Sequence, residues 1–322
     1  MPPNRVPELQ NLLPDLVDEI GEEAAFGIAK AILDHGRFPA WPNPVLHAYL
    51  QANRRYGTTQ QIFEAAVAQG VYPGARYLAS RPPGPPVLVS TLPKSGTLFL
   101  GNRLVTMTGF LNLQGGMGRW PSNFVFPAVL QLIAKGGALT IDHIDASPRN
   151  LDAIAAAGLR RVLVHLRDPR QATLSWARYI DEGRTSGRHI DRHFNDPPLP
   201  DDFGRWPDAR RLDWQCETYF PAAIRWIAQW VAVADSDRRF DIAFTEYRQL
   251  RDRPAELFDT IDRHFGLGLG LGNREVPPPA GEADNYRAGK ADEWRVALPP
   301  ETVAWMNMMM PPALLERFGW SL

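Results

Sequence analysis

The chain has 322 residues, 44% of them hydrophobic, with 35 Lys and Arg against 36 Asp and Glu and a net charge of −1. That length fits one large domain or two modest ones whose core needs no disulfide scaffold. The near-neutral charge argues against a protein that coats nucleic acid, and the single cysteine, Cys216, cannot form an internal disulfide, which suits a reducing compartment.

The opening residues, Met1-Pro2-Pro3-Asn4, carry neither a basic stretch nor an apolar signal core. No run approaches the roughly 18 to 20 apolar residues that span a bilayer. The expectation is a soluble cytoplasmic protein with no membrane or nucleic-acid partner.

Residues 1–83 read as a helical N-terminal extension. Leu9, Leu12, Leu13, Leu16 and Val17 repeat at helical spacing, Ala24-Ala25-Phe26-Gly27-Ile28-Ala29 follows, and further helices are expected near 44–53 and 59–69. Arg81-Pro82-Pro83-Gly84-Pro85-Pro86 stops regular structure and marks the boundary of the main domain, 84–322. Three roles are open for the extension: self-association into a homodimer, completion of a substrate pocket, and shielding of a sheet edge. Its place directly before the first strand favours the pocket.

From Pro86 onward short apolar runs alternate with helical periods. Val87-Leu88-Val89-Ser90, Ala138-Leu139-Thr140-Ile141, Arg161-Val162-Leu163-Val164-His165-Leu166 and Arg239-Phe240-Asp241-Ile242-Ala243-Phe244 are the expected strands. Helices are expected over about Gly96–Thr108, from a Ser147-Pro148 cap to Gly158, from Pro169 onward, and up to Phe265. This alternation predicts an α/β fold, a parallel sheet covered by helices on both faces. The polar stretches 181–208 and 266–291 read as irregular, the first as either a lid or a disordered connection.

The strongest chemical signal is Leu92-Pro93-Lys94-Ser95-Gly96-Thr97, placed between a strand and a helix. Such a P-loop-like turn aims backbone N–H groups and the positive end of the helix at an anion, while Lys94 adds a charge and Ser95 and Thr97 add hydroxyl donors. The nucleotide-kinase order G-x-x-x-x-G-K-[ST] is absent, because the lysine precedes the glycine. A second signal is Arg167-Asp168-Pro169-Arg170 with Ser175-Trp176, where Arg167 leaves the carboxyl end of a strand and Ser175 lies about two turns along the next helix. The plain alternative pairs Arg167 with Asp168 or another carboxylate and leaves Ser175 facing solvent. Tyr286-Arg287-Ala288-Gly289-Lys290, then Trp294, and Tyr247-Arg248-Gln249-Leu250 complete the set.

Taken in order, these segments resemble the PAPS-dependent sulfotransferases of the cytosolic and bacterial type, over about Pro86 to Phe318. The resemblance implies transfer of a sulfuryl group from 3′-phosphoadenosine-5′-phosphosulfate (PAPS) to a hydroxyl or amine, leaving PAP, without a metal. It implies that Lys94, Ser95, Gly96 and Thr97 hold the 5′ end, with Lys94 stabilising the leaving phosphate. Phe99 and Tyr247 would face the adenine, and Arg167, Ser175, Arg287 and Gly289 would hold the 3′-phosphate. The pattern departs from the family at Leu98 and Phe99, where a threonine and a tryptophan are usual, at Ile141 and Ala288, where lysines are usual, and at the acidic pair after Tyr247.

His143, in Ile141-Asp142-His143-Ile144-Asp145, stands where the family places its general base. Histidine suits that task because its pKa lies near working pH. His165 is the rival but reads as a core residue, His189 and His193 fall in the polar stretch, and Asp142 and Asp145 are carboxylate alternatives. Trp120, Phe124, Trp176, Tyr179 and Trp206 hint at an apolar or aromatic acceptor among small molecules or carbohydrates. Two other readings stay open: a non-catalytic PAP-binding protein of the same fold, favoured by Leu98, Ile141 and Ala288, and a P-loop kinase-like phosphotransferase.

Overall fold

A computed structural model of the protein describes residues 82–113, 115–125, 127–185, 197–275 and 292–322. The expected helices of 1–83 therefore lie outside the described residues, as do His189, His193 and the segment from Tyr286 to Lys290.

Five strands form one parallel sheet: β1 (Val87–Thr91), β2 (Leu111–Asn112), β5 (Ala138–Asp142), β6 (Arg161–Leu166) and β7 (Asp241–Glu246), in the order β2-β5-β1-β6-β7. β1, β5 and β6 are largely apolar, as strands covered on both faces are, and every residue of β1 is buried. Helix α1 (Thr97–Thr108) follows β1. The short α2 (Pro127–Ala134) precedes β5, and α3 (Pro148–Ala156) joins β5 to β6. Helix α4 (Pro169–Thr185) leaves β6, and α5 (Asp208–Ser236) packs against it before the chain reaches β7. After β7 come α6 (Tyr247–Asp252) and α7 (Pro254–Phe265), and three helices close the chain: α8 (Trp294–Ala297), α9 (Pro300–Met309) and α10 (Pro312–Phe318).

The core divides into two layers. One, rich in tryptophan, holds Trp120, Trp176, Trp226, Trp230 and Trp294. The other packs Val87, Val89, Leu100, Leu104, Leu163, Phe258, Ile261 and Phe265.

Strand β7 sits two residues later than expected, because Arg239 and Phe240 belong to the turn that Asp237 organises by accepting the Arg239 N–H. Ser147 occupies the cap position of α3, but its hydroxyl turns to Asp145 Oδ1 at 3.4 Å instead of a helix N–H. Between α1 and α2, β3 (Gly116–Arg119) and β4 (Ser122–Val125) form an antiparallel hairpin. The polar connection expected over 181–208 is shorter, since α4 runs to Thr185. Among the described residues no helix is long and apolar enough to cross a membrane.

The chain leaves β1 toward β5 on one side and returns to β6 on the other. The carboxyl ends of these three strands therefore border the point where the strand order reverses, the usual ligand position in an open α/β sheet.

Candidate active site

The turn after β1 occupies that position. Lys94 and Gly96 both adopt left-handed backbone conformations, with φ of 67° and 89°. A side chain at Gly96 would also press on Leu250 and Tyr247, at 3.1 and 3.3 Å from its Cβ. Gly96 caps α1, and Leu100 N–H closes the first helical bond to its carbonyl at 2.9 Å. Among the described residues the N–H groups of Gly96, Thr97, Leu98 and Phe99 bond to no backbone carbonyl. They are the orphan donors of a helix start, suited to a phosphate or sulfate. The side chains divide: Ser95 is fully buried and its hydroxyl bonds back to Leu92 O at 2.7 Å, so it braces the turn. Thr97 Oγ1 lies 2.9 Å from Thr91 Oγ1, and Lys94 Nζ lies 4.2 Å from the centre of the Tyr179 ring.

His143 follows β5 and lies beside this turn. Its Nδ1 is 2.8 Å from Thr91 O and 3.0 Å from Thr91 Oγ1. A carbonyl can only accept, so Nδ1 carries the proton and Nε2 keeps its lone pair. Burial, with a smaller push from the Lys94 charge, lowers the His143 pKa to about 4 despite the Thr91 bond, so the ring is a neutral base at pH 7. The turn is pinned from behind, where Ile144 O accepts Ser90 Oγ at 2.6 Å and the indole N–H groups of Trp226 and Trp230 at 3.0 Å each.

The two carboxylate alternatives are engaged elsewhere. Asp142 Oδ2 accepts Gly115 N–H, Gly116 N–H and Thr140 Oγ1 at 2.9, 3.0 and 2.8 Å, tying the β3–β4 hairpin to β5. Asp145 accepts from the Asn150 side chain. Burial pushes both carboxyls up to about 7.

At the end of β6 the expected arginine pairing resolves into two roles. Asp168 pairs with Arg170, whose Nη2 and Nε lie 2.7 and 3.0 Å from its oxygens, and Asp168 Oδ1 also accepts the Arg170 N–H at the start of α4. Arg167 donates Nη1 to Lys94 O at 2.9 Å and lies 4.0 Å over the Tyr247 ring, so Arg167, Tyr247 and the Lys94 turn meet in one place. Ser175 sits part-buried on α4. Phe99 joins the second core layer with Arg103 over its ring at 4.6 Å, and Leu98 is the exposed side chain of that helical turn. Arg287 and Gly289 lie outside the described residues.

An aromatic wall adjoins His143. Trp120 approaches its ring edge-on at 6.4 Å and stacks on Tyr219 at 5.5 Å, while Trp176 stacks on the other side of Tyr219 at 5.3 Å. Trp206 packs instead on Phe203, and the side chain of Phe124 lies outside the description. The sequence reading passed over Thr91 and Tyr219. Tyr219 lies on α5, a helix of 29 residues carrying Pro221, and the apolar spacing of Tyr219, Ala223, Trp226 and Trp230 was the available signal. Burial pushes the Cys216 thiol up to about 12, which removes it as a nucleophile.

No family model matches the chain, and no curated protein does. Among solved structures it is similar to mouse sulfotransferase SULT7A1 complexed with PAP, at 11% identity and a TM-score of 0.49, over 73% of this chain and 85% of that one.

Proposed function

We propose that the protein is a PAPS-dependent sulfotransferase acting on a hydroxyl or amine of a small-molecule or carbohydrate acceptor. The observation that carries this reading is the position of His143. Its Nδ1 is held by Thr91, its Nε2 lone pair is left over, and the same Thr91 hydroxyl reaches Thr97 in the anion turn.

In this reading the acceptor oxygen attacks the sulfur in line and its proton passes to His143 Nε2. The bond between sulfur and the 5′-phosphate oxygen breaks, and PAP leaves with the electron pair. Lys94 and the N–H groups of residues 96–99 stabilise the charge that collects on the leaving phosphate. The site fits such a group because those donors have no backbone partner among the described residues. Arg167 and Ser175 would hold the 3′-phosphate with Arg287 and Gly289. Tyr247 would border the adenine, and Phe99 would support it from the core side. Trp120, Tyr179 and Trp176 would give the acceptor an apolar wall.

One observation favours a second reading, a PAP-binding protein without turnover. Ile141 packs on Gly101 of α1, in van der Waals contact with the helix, where the resembling family carries a lysine.

Calorimetry with PAP, against ATP with magnesium, tests the donor site in wild type and Arg167→Ala. Selective PAP binding that Arg167→Ala loses supports the reading; preference for ATP with magnesium, or no binding, overturns it. Turnover of PAPS that disappears in His143→Ala then separates the enzyme from the binding protein.

A further inference from the structure

Three consecutive carbonyls of the turn after β1 each accept a hydrogen bond from a side chain of a different part of the fold. Pro93 O takes the Tyr219 hydroxyl of α5 at 2.8 Å. Lys94 O takes Arg167 Nη1, just beyond β6, at 2.9 Å. Ser95 O takes His165 Nε2, within β6, at 2.9 Å. Each is a long-range contact, so the turn's shape is set by elements distant in sequence.

The consequence follows from peptide geometry. In a trans peptide the C=O and the following N–H point in opposite directions. Drawing the Ser95 carbonyl toward His165 turns the Gly96 N–H away from it. It also keeps the carbonyl from closing a helical bond to Phe99 N–H, which has no backbone partner among the described residues. The Lys94 backbone, at φ 67°, is a conformation that a residue with a side chain adopts only when its surroundings enforce it. The Pro93 and Lys94 carbonyls flank that residue, and the bonds to them supply the enforcement.

The histidine is suited to the task. Ser95 O can only accept, so His165 Nε2 carries the proton, and Nδ1 accepts the Thr245 hydroxyl at 2.9 Å. The Tyr219 ring is fixed between Trp120 and Trp176, which aims its hydroxyl.

The geometry points to Tyr219 and His165 as positioning residues of the anion turn: together with Arg167 they hold its peptides in the orientation that presents N–H groups to a phosphate. This rests on the reading that the turn holds the 5′-phosphate end of the nucleotide. Neither residue touches the ligand; both act through the main chain of residues 93–95.

Calorimetry of Tyr219→Phe and His165→Leu with PAP, adenosine 5′-monophosphate, adenosine 3′-monophosphate and inorganic pyrophosphate tests the inference, with urea midpoints recorded alongside. Tyr219→Phe removes one hydroxyl and keeps the stacked ring. It should weaken the 5′-phosphate probes and pyrophosphate by roughly five- to tenfold, the worth of one neutral hydrogen bond, and leave the 3′-monophosphate unchanged. His165→Leu should do the same, and His165→Gln, which restores an N–H donor, should recover part of the loss. Equal weakening of every probe, or an unchanged 5′-monophosphate affinity in Tyr219→Phe, overturns it. If wild type binds pyrophosphate with the expected loss in Tyr219→Phe but does not bind PAP, the clamp stands and the nucleotide reading falls. If wild type binds none of the four, both fall.

Discussion

Arg170 offers a quantitative test of how the rim of the site is held. Its side chain is completely buried, and it bonds to both oxygens of Asp168, to Asn307 Oδ1 at 2.7 Å and to Ser321 O at 2.9 Å, with its guanidinium 4.1 Å over the Trp294 ring. Arg170→Leu keeps bulk but leaves the Asp168 carboxylate and two other acceptors without the guanidinium. Breaking a buried pair from one side costs about 3 to 5 kcal/mol, because the remaining charge is buried uncompensated. Against a typical total stability of about 5 to 15 kcal/mol that loss is large. Urea unfolding followed by tryptophan fluorescence should show it as a clear fall in midpoint. Asp168→Asn with Arg170→Leu removes the stranded charge and retains an oxygen for the N–H at the start of α4. The double variant should therefore be more stable than Arg170→Leu alone, by about 1 to 3 kcal/mol. A single variant that loses less than about 1 kcal/mol, or a double variant no better than the single, refutes the reasoning.

The other predictions are shorter. His143→Gln should lower kcat by about 10²- to 10⁴-fold while PAP affinity stays within about twofold of wild type, as steady-state rates and calorimetry would show. Gly96→Ala should weaken PAP binding and lower the urea midpoint, because φ of 89° is strained for alanine and its Cβ would press on Leu250 and Tyr247; an unchanged protein would contradict the turn geometry. For pH, His143 and His165 have folded pKa values near 4, below the ordinary 6.5, so their contribution is present above 6.5 and lost as pH falls toward 4. Asp142 and Asp145, raised from 3.8 to about 7, act in reverse: their contribution is present below 3.8 and lost as pH rises through 7. The two pairs oppose one another between about pH 4 and 6.5. Asp142→Asn removes one carboxyl from that balance, so between pH 6 and 5 the variant should lose more stability than wild type, measured by urea unfolding at both pH values.

The parts legible in the sequence are those where a local rule decides. Strands β1, β5 and β6 show as largely apolar runs because both faces of a parallel sheet are covered, and the helix starts at Pro148 and Pro169 follow proline's preset φ. The turn at Lys94–Thr97 is readable as a strand-to-helix junction for the same reason, since Gly96 takes a left-handed conformation there. The distribution of partners was not readable. Whether Asp168 takes Arg167 or Arg170 depends on where α9 and the chain end place Asn307 and Ser321, both far away in sequence. Tyr219 was hidden similarly, because its bond to Pro93 O spans 126 residues. The β3–β4 hairpin has no local signature: Asp142, which accepts Gly115 and Gly116 N–H, lies 27 and 26 residues away from them.

The departures from the resembling family's pattern have unequal physical consequences. Leu98 removes a hydroxyl, but its side chain is half exposed and its N–H, which any residue would supply, still stands at the start of α1. Ile141 is different, because its methyl groups pack on Gly101 and the second core layer and the position supplies no charge. A charge lost there is not replaced by another described lysine: Lys135 lies at the far end of α2, before β5, and Lys94 alone stands at the carboxyl edge of the sheet. If the protein transfers a sulfuryl group, the charge on the leaving phosphate would, among the described residues, fall to Lys94 and the main-chain donors of residues 96–99. That dependence makes the carbonyl clamp on the Lys94 turn a matter of catalysis as well as of folding.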